Sequence, residues 1–193
     1  MRYKPEHKER TRAKIVAKAA GLFRKGGYDG VGIDDIMSAS ALTRGGFYGH
    51  FASKADLFAA VIGGTHDFIT RMRARHGSGR EQLNREAKEI VDGYFDPVNS
   101  ERIGRGCSFA SLSAEVARAG APVKNAYAAK LAELAEQFER GIADRSDSKE
   151  RALVAIALSV GAVVLARAAG DNAIKEQVLS ACREAVHERL DMG

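Results

Sequence analysis

LTRGGFYGHFASKADLF, residues 42–58, sets two signals against each other. Gly45, Gly46 and Gly49 each disfavour a helix by about 1 kcal/mol relative to alanine. Yet Phe47 and Phe51 stand four apart, the spacing of one helix face, and both are expected in the core. Thr43 offers an N-cap oxygen for a short helix running to about His50, and Ser53 offers another for the helix that follows. Arg44, Tyr48, His50 and Lys54 surround the aromatic pair with hydrogen-bond donors. A helix thinned by glycine and ringed by donors is built to bring its backbone close to a surface of acceptors.

The preceding residues supply the rest of a small domain. Ile15, Val16, Ala19, Leu22 and Phe23 recur at helical spacing, so a helix is expected from about Glu6 to Lys25, stopped by Gly26-Gly27. Gly32 begins a second, short helix whose inner face is Ile33, Ile36 and Met37, with Asp35 at its third position facing the free N–H groups. Ser40 to Leu42 is a tight turn. Two short helices joined by such a turn form a helix-turn-helix, whose second helix enters the major groove of DNA. On that reading Arg44 reaches a guanine edge or clamps a phosphate, and Tyr48 and His50 donate to phosphate. Lys54 shares a phosphate with the N–H groups of its own helix. Gly45, Gly46 and Gly49 give clearance.

Charge agrees with this division. Residues 1–58 hold 11 Lys/Arg and 6 Asp/Glu, whereas residues 59–193 hold 19 of each, so the whole net charge of +5 lies in the first third. A basic module joined to a neutral one points to a polyanion. The polar opening MRYKPEHKERTR is unlike a signal peptide, and the longest uncharged apolar run, residues 152–166, is shorter than the roughly 20 residues that span a bilayer. A cytoplasmic protein is expected. Two cysteines, Cys107 and Cys182, are too few for a disulfide framework or a zinc site, and no cofactor or metal is expected. No glycine-rich phosphate loop, His-Glu-x-x-His pattern or nucleophile with a matched base suggests an enzyme.

The remaining chain reads as helix throughout. The helix capped by Ser53 is expected to run to about His76, with RMRARH (71–76) as its solvated basic end. Further helices are expected over 81–95, 109–119, 122–144, 149–169 and 172–190, with Pro122 in a first turn and a loop over 96–106. The fold class is therefore all-α: an N-terminal three-helix helix-turn-helix domain over 1–52, and a helical domain over 53–193, to which the family resemblance described below assigns ligand binding and dimerisation. Small residues Ala155, Ser159, Gly161 and Ala162 lower the profile of one late helix, which makes the helices from about 147 to 190 the expected dimer surface, as a four-helix bundle. Arg167 interrupts that helix near its end and is expected to pair with Asp171 or a partner-chain carboxylate.

Residues 10–62 resemble the DNA-binding domain of the TetR family of transcriptional regulators. The likeness rests on LFRKGGYDGVG, on IDDIMSASALTRGGFYGHF and on SKADLFAAVI. Departures fall at Gly32, Ala41 and Gly49, where such families usually carry Thr, Gly and a bulky polar or aromatic residue. The resemblance implies a homodimer that sets two recognition helices in successive major grooves of a double-stranded, pseudo-palindromic operator. Its N-terminal arm, Arg2, Lys4, Lys8 and Arg10, would add phosphate contacts and salt dependence. It also implies a repressor released by a small molecule held among the C-terminal helices. Candidate lining residues are Phe68 and Met72, Tyr94 and Phe95, Phe109 and Leu112, and Tyr127 and Phe138, with Glu115 and Asn125 as polar contacts. Some members respond to oxidants or electrophiles through a cysteine. Cys107, at a helix start after Arg102 and Arg105, is placed either to have a lowered pKa and act as such a sensor or to be a small buried residue closing the helix start. The alternatives are a non-specific architectural DNA-binding protein and a helical small-molecule-binding protein without DNA function.

Overall fold

The structure is a computed structural model, which describes residues 5–96, 98, 102–142 and 146–191. The arm residues Arg2 and Lys4 lie outside them. Among the described residues the regular elements are helices and none is a strand. The chain divides into two compact units, Met1–Gly64 with Leu112–Lys130, and Thr65–Ser111 with Leu131–Gly193. This differs from a boundary after residue 52, because hydrophobic burial carries the next helix and a mid-chain segment into the first unit.

In the first unit α1 (Pro5–Gly26) ends on Gly27, whose φ of +74° and N–H bond to the Phe23 carbonyl make the expected left-handed cap. Helix α2 (Ile33–Ala39) starts at Gly32, whose N–H donates to the Asp35 carboxylate at 2.8 Å. Residues 44–49 form a 3-10 helix, Arg44–Gly49, where an ordinary helix was expected. At six residues it is long for its type, and its glycines remove the propensity that would wind an α-helix. Helix α3 (Lys54–Ile62) is capped by Ser53, which accepts from the Asp56 N–H at 3.1 Å. Ile15, Phe23, Phe47, Phe51, Leu57 and Phe58 are essentially without solvent exposure and form one core. Leu112, Val116 and Val123 complete it. At about 1.5–3 kcal/mol for each large side chain, this cluster outweighs the low propensity of the glycine-rich turn.

The second unit opens with a correction. The helix that starts at Lys54 stops at Ile62, and a separate α4 (Asp67–Arg73) follows. Gly63 and Gly64 terminate the first, their N–H groups bonding back to Ala59 and Val61. RMRARH is a solvated basic helix end, as expected, at Arg71 and Arg73, which are exposed in the last turn of α4, but not at Arg75. Arg73 pairs with Glu133 at 3.0 Å, and Arg75, only 6% exposed, lies past the helix. It donates to the carbonyls of Met72, Leu83 and Gln137. Burial, aided by the nearby Arg140 charge, pushes its guanidinium down to about 10, so it stays charged near neutrality.

Helix α5 (Arg80–Phe95) leads to a segment containing a short 3-10 turn, Ile103–Arg105, inside the expected loop. Then come α6 (Ser108–Arg118), α7 (Ala121–Glu139), α8 (Ser148–Ala168) and α9 (Asn172–Leu190). Helix α7 ends five residues before its expected limit at Asp144. Helices α8 and α9 pack side by side. Ala155, Ser159 and Ala162 are buried within the chain, so these small residues serve packing inside one protomer, contrary to their expected place at a dimer surface. Helix α8, at 21 residues and with a most apolar 18-residue window of mean hydropathy 1.8, is long and apolar enough to cross a membrane by length and composition, unlike the shorter uncharged run within it. Within the unit it buries seven residues, including Ile156 and Val163.

Candidate functional site

The turn before the 3-10 helix is tied back to α2. The N–H groups of Ser40, Ala41 and Leu42 reach carbonyls of residues 36–38, and the buried Ser40 hydroxyl donates to the Ile36 carbonyl at 2.8 Å. Ala41 adopts φ +53°, the left-handed region that favours glycine, at the position where the resembled family carries glycine. Its Cβ is the cost of that departure. Gly32, the other capping departure, is offset by Asp35 reaching back to its N–H.

Thr43 occupies the N-cap position in extended backbone, but its hydroxyl makes no cap bond, contrary to expectation. Phe47 and Phe51 are buried as expected and hold the 3-10 helix to the core, their rings 5.7 Å apart. Tyr48 stands 61% exposed, edge-on to Phe47. An added Cβ would meet nothing within 4 Å at Gly45 or Gly49, whereas at Gly46 it would touch Met37 at 3.6 Å. Two of the three glycines therefore keep the outer side flat, and the third faces the packing against α2.

The basic groups fall into two kinds. Arg44 is exposed and pairs with the exposed Asp34 carboxylate of α2. His50 is half-buried, and burial first, then the charges of Lys8, Arg12 and His7, lowers its pKa. Arg12 lies 4.6 Å from the centre of the Phe51 ring. The exposed start of α1 thus joins the same basic face, through His7 and Arg12 as well as the expected Lys8; Arg10 is exposed. The charge excess of the first third signalled it; their convergence on His50 needed the packing of α1. Lys54 is different. Its ammonium donates to the Val31 carbonyl at 3.1 Å and sits 4.3 Å from the centre of the Tyr28 ring, so it braces the turn between α1 and α2. Glu115, expected as a ligand contact, accepts from the Tyr28 N–H at 3.0 Å within the same unit.

The second unit contains a half-open cavity of about 270 Å³. Helix α4 supplies Asp67, Phe68 and Arg71, and α5 supplies Gly93 and Tyr94. Arg102, Gly106 and Cys107 come from the segment before α6, with Val163 and Arg167 from α8. Of the expected lining residues, Phe68 and Tyr94 are in this wall, their rings stacked 4.7 Å apart. Met72, Phe95, Phe109 and Phe138 are buried core. Leu112 and Tyr127 belong to the first unit, where the Tyr127 hydroxyl lies 2.6 Å from that of Ser113. Aromatic content marks core and cavity alike; the arginines distinguish this wall, and no hydrophobic pattern finds them. Arg167 donates to Ser111 Oγ at 3.1 Å, while Asp171 caps α9 by accepting from the Ile174 N–H.

Cys107 faces the cavity, but its thiol pKa is raised, not lowered. Burial dominates over the bonds offered by the Ala110 and Phe109 backbone, the Tyr94 hydroxyl and the Arg167 charge. The Arg105 side chain lies outside the described residues. Cys182, read as core, is half-buried, and both thiols are free.

The model of the family described as "Bacterial regulatory proteins, tetR family" matches residues 15–61, from α1 to α3. The HTH-type transcriptional repressor DhaR of Mycobacterium sp. strain GP1 is 25% identical over 127 residues, 66% of this chain and 61% of that protein. The HTH-type transcriptional regulator CymR of Pseudomonas putida is 36% identical over 38% of this chain and 37% of its own length. The chain spans between about half and three fifths of the length of the first three curated relatives it matches. A TetR transcriptional regulator from Chloroflexus aurantiacus superposes with a TM-score of 0.71 at 25% identity, covering 95% of both chains. The reduced form of Escherichia coli NemR gives 0.72 at 20% identity, covering 95% of this chain and 98% of that one, a likeness of fold. Residues 15–61 thus form a DNA-binding domain of the tetR family of bacterial regulatory proteins, and the chain as a whole is similar in fold to TetR-family regulators.

Proposed function

We propose that this protein is a transcriptional repressor that binds a pseudo-palindromic operator as a homodimer and leaves it when a small molecule occupies the cavity of the second unit. The observation that carries the DNA half is the outer side of the 3-10 helix. Two glycines leave it flat, Tyr48 projects from it, Arg44 borders it, and His7, Lys8 and Arg12 converge on His50. A helix held this way, with donors around it and no bulk on its outer side, suits the floor and walls of a major groove. Thr43, Gly45, Gly49 and Lys54 act through backbone placement rather than side-chain readout.

Dimerisation is supported by a different face of the late helices from the one the small residues suggested. Leu153, Val164 and Leu165 of α8 and Ile174 of α9 are each at least 41% exposed. Such side chains on adjoining helices suit a partner's copies in a four-helix arrangement. Occupation of the cavity would favour a dimer geometry mismatched to the groove spacing. Release by modification of Cys107 is the less favoured route, because burial keeps its thiol protonated.

Footprinting on DNA flanking the coding region tests the reading. Protection of a short palindrome at moderate salt is expected, with affinity falling steeply as salt rises. Uniform coating of any DNA would favour an architectural protein, and no binding at low salt would leave a small-molecule binder.

A further inference from the structure

The chemistry of the cavity wall narrows what it can hold. Arg71, Arg102 and Arg167 approach it from three separate segments, against one carboxylate, Asp67. Arg71 and Arg102 are exposed and Arg167 is half-buried, so water screens their mutual repulsion, and an anion in the cavity would meet all three. Two glycines in the wall are fitted to these side chains. An added Cβ at Gly93, inside α5, would stand 3.3 Å from Arg71 Nη2, and one at Gly106 would stand 2.8 Å from Arg167 Nη2. Each guanidinium therefore approaches closely to a backbone that carries no side chain there. Ser111 fixes the direction of Arg167 through its hydroxyl. Val163 and the stacked rings of Phe68 and Tyr94 add an apolar part to the wall.

We propose that the cavity binds a small organic anion, a carboxylate or phosphate head carried on a single aromatic ring. The head would be taken by the forked donors of Arg71, Arg102 and Arg167, whose planar geometry matches both anions. The ring would lie against Tyr94, Phe68 and Val163. About 270 Å³ falls just below the range of drug-sized sites, which fits one ring and excludes large polycyclic ligands. The proposal rests on the effector-binding reading above, but ligand binding can be measured without DNA.

Calorimetry on the purified full chain should compare benzoate and phenyl phosphate with benzamide, benzylamine and inorganic phosphate. At least one aromatic anion is expected to bind about tenfold or more tighter than neutral benzamide, and benzylamine more weakly still. The double variant Arg71→Gln/Arg102→Gln, both exposed side chains, is expected to keep its melting temperature and lose about tenfold in that affinity. No heat from either aromatic anion up to about 10 mM would overturn the proposal, as would benzamide binding equally well or an unaltered double variant. Inorganic phosphate matching phenyl phosphate would overturn the aromatic half. Operator footprinting of the unliganded protein separates the two failures. Protected DNA without anion binding defeats only this proposal, whereas anion binding without protected DNA defeats only the repressor.

Discussion

Glycine serves opposite purposes in the two units. At Gly45 and Gly49 of the recognition turn, the position a Cβ would take is open. At Gly93 and Gly106 in the cavity wall, that position is crowded by the guanidiniums of Arg71 and Arg167. All four give up local rigidity. On the proposed function the first pair does so for a surface brought from outside, the second for side chains of the protein itself. A glycine that weakens an element is therefore informative only once its neighbours are known, and substitution by alanine distinguishes the two cases.

The largest effect is expected at Gly106. Its new Cβ would lie 2.9 Å from the Arg102 carbonyl oxygen as well as 2.8 Å from Arg167, and backbone cannot swing aside. Gly106→Ala should lower unfolding stability in urea by about 1–3 kcal/mol. Gly93→Ala meets only the movable end of Arg71 and should cost little, since alanine also favours α5. Equal losses at the two sites would break the idea that one is fixed by backbone and the other by a side chain.

Next come Gly45→Ala and Gly49→Ala. Neither meets a neighbour, so stability should hold or rise by up to about 1 kcal/mol. Operator affinity should nevertheless fall by about tenfold, equivalent to about 1.4 kcal/mol, because a methyl group intrudes where backbone meets DNA. Unchanged affinity in a gel-shift titration would remove the clearance explanation.

A smaller effect sharpens the same contrast, at a place where glycine would be favoured and is absent. Ala41 holds φ +53° between α2 and the 3-10 helix. Ala41→Gly should relieve strain of about 1–2 kcal/mol, partly offset by glycine's larger unfolded-state entropy. A net gain of up to about 1 kcal/mol in thermal or urea unfolding is expected. A loss would mean that Ala41's methyl packs favourably enough to outweigh its backbone.

How much of this was legible in the sequence follows the same line. Helix caps at Gly27 and Ser53, the inward Phe47 and Phe51, and the exposed Tyr48 are local consequences of spacing, and spacing is what a sequence displays. The break at Gly63-Gly64 was legible too, but the apolar period of α3 continues into α4 and masked it. Arg75 was misread as solvated because its partners, the Leu83 and Gln137 carbonyls, are distant in sequence. The cavity was half-found for the same reason. Phe68 and Tyr94 betray apolar character, whereas Arg71, Arg102 and Arg167 look like surface charges until three segments meet.

The smallest effect concerns a residue placed correctly whose partner was not foreseen. Arg44 borders the flat side of the 3-10 helix as expected, yet it is paired with Asp34. Both side chains are more than 60% exposed, so the pair contributes at most about 1 kcal/mol to stability. Its consequence is for binding. If Arg44 must leave Asp34 to reach a base edge or phosphate, the pair subtracts from operator affinity, and the Asp34 carboxylate also repels the DNA backbone. Asp34→Asn removes both and should raise affinity by about two- to fivefold at low salt, with the gain shrinking as salt screens the charges. Arg44→Gln should reduce affinity by itself and abolish most of the response to Asp34→Asn. A full response in the absence of Arg44 would mean that Asp34 acts on DNA directly and that the pair is incidental.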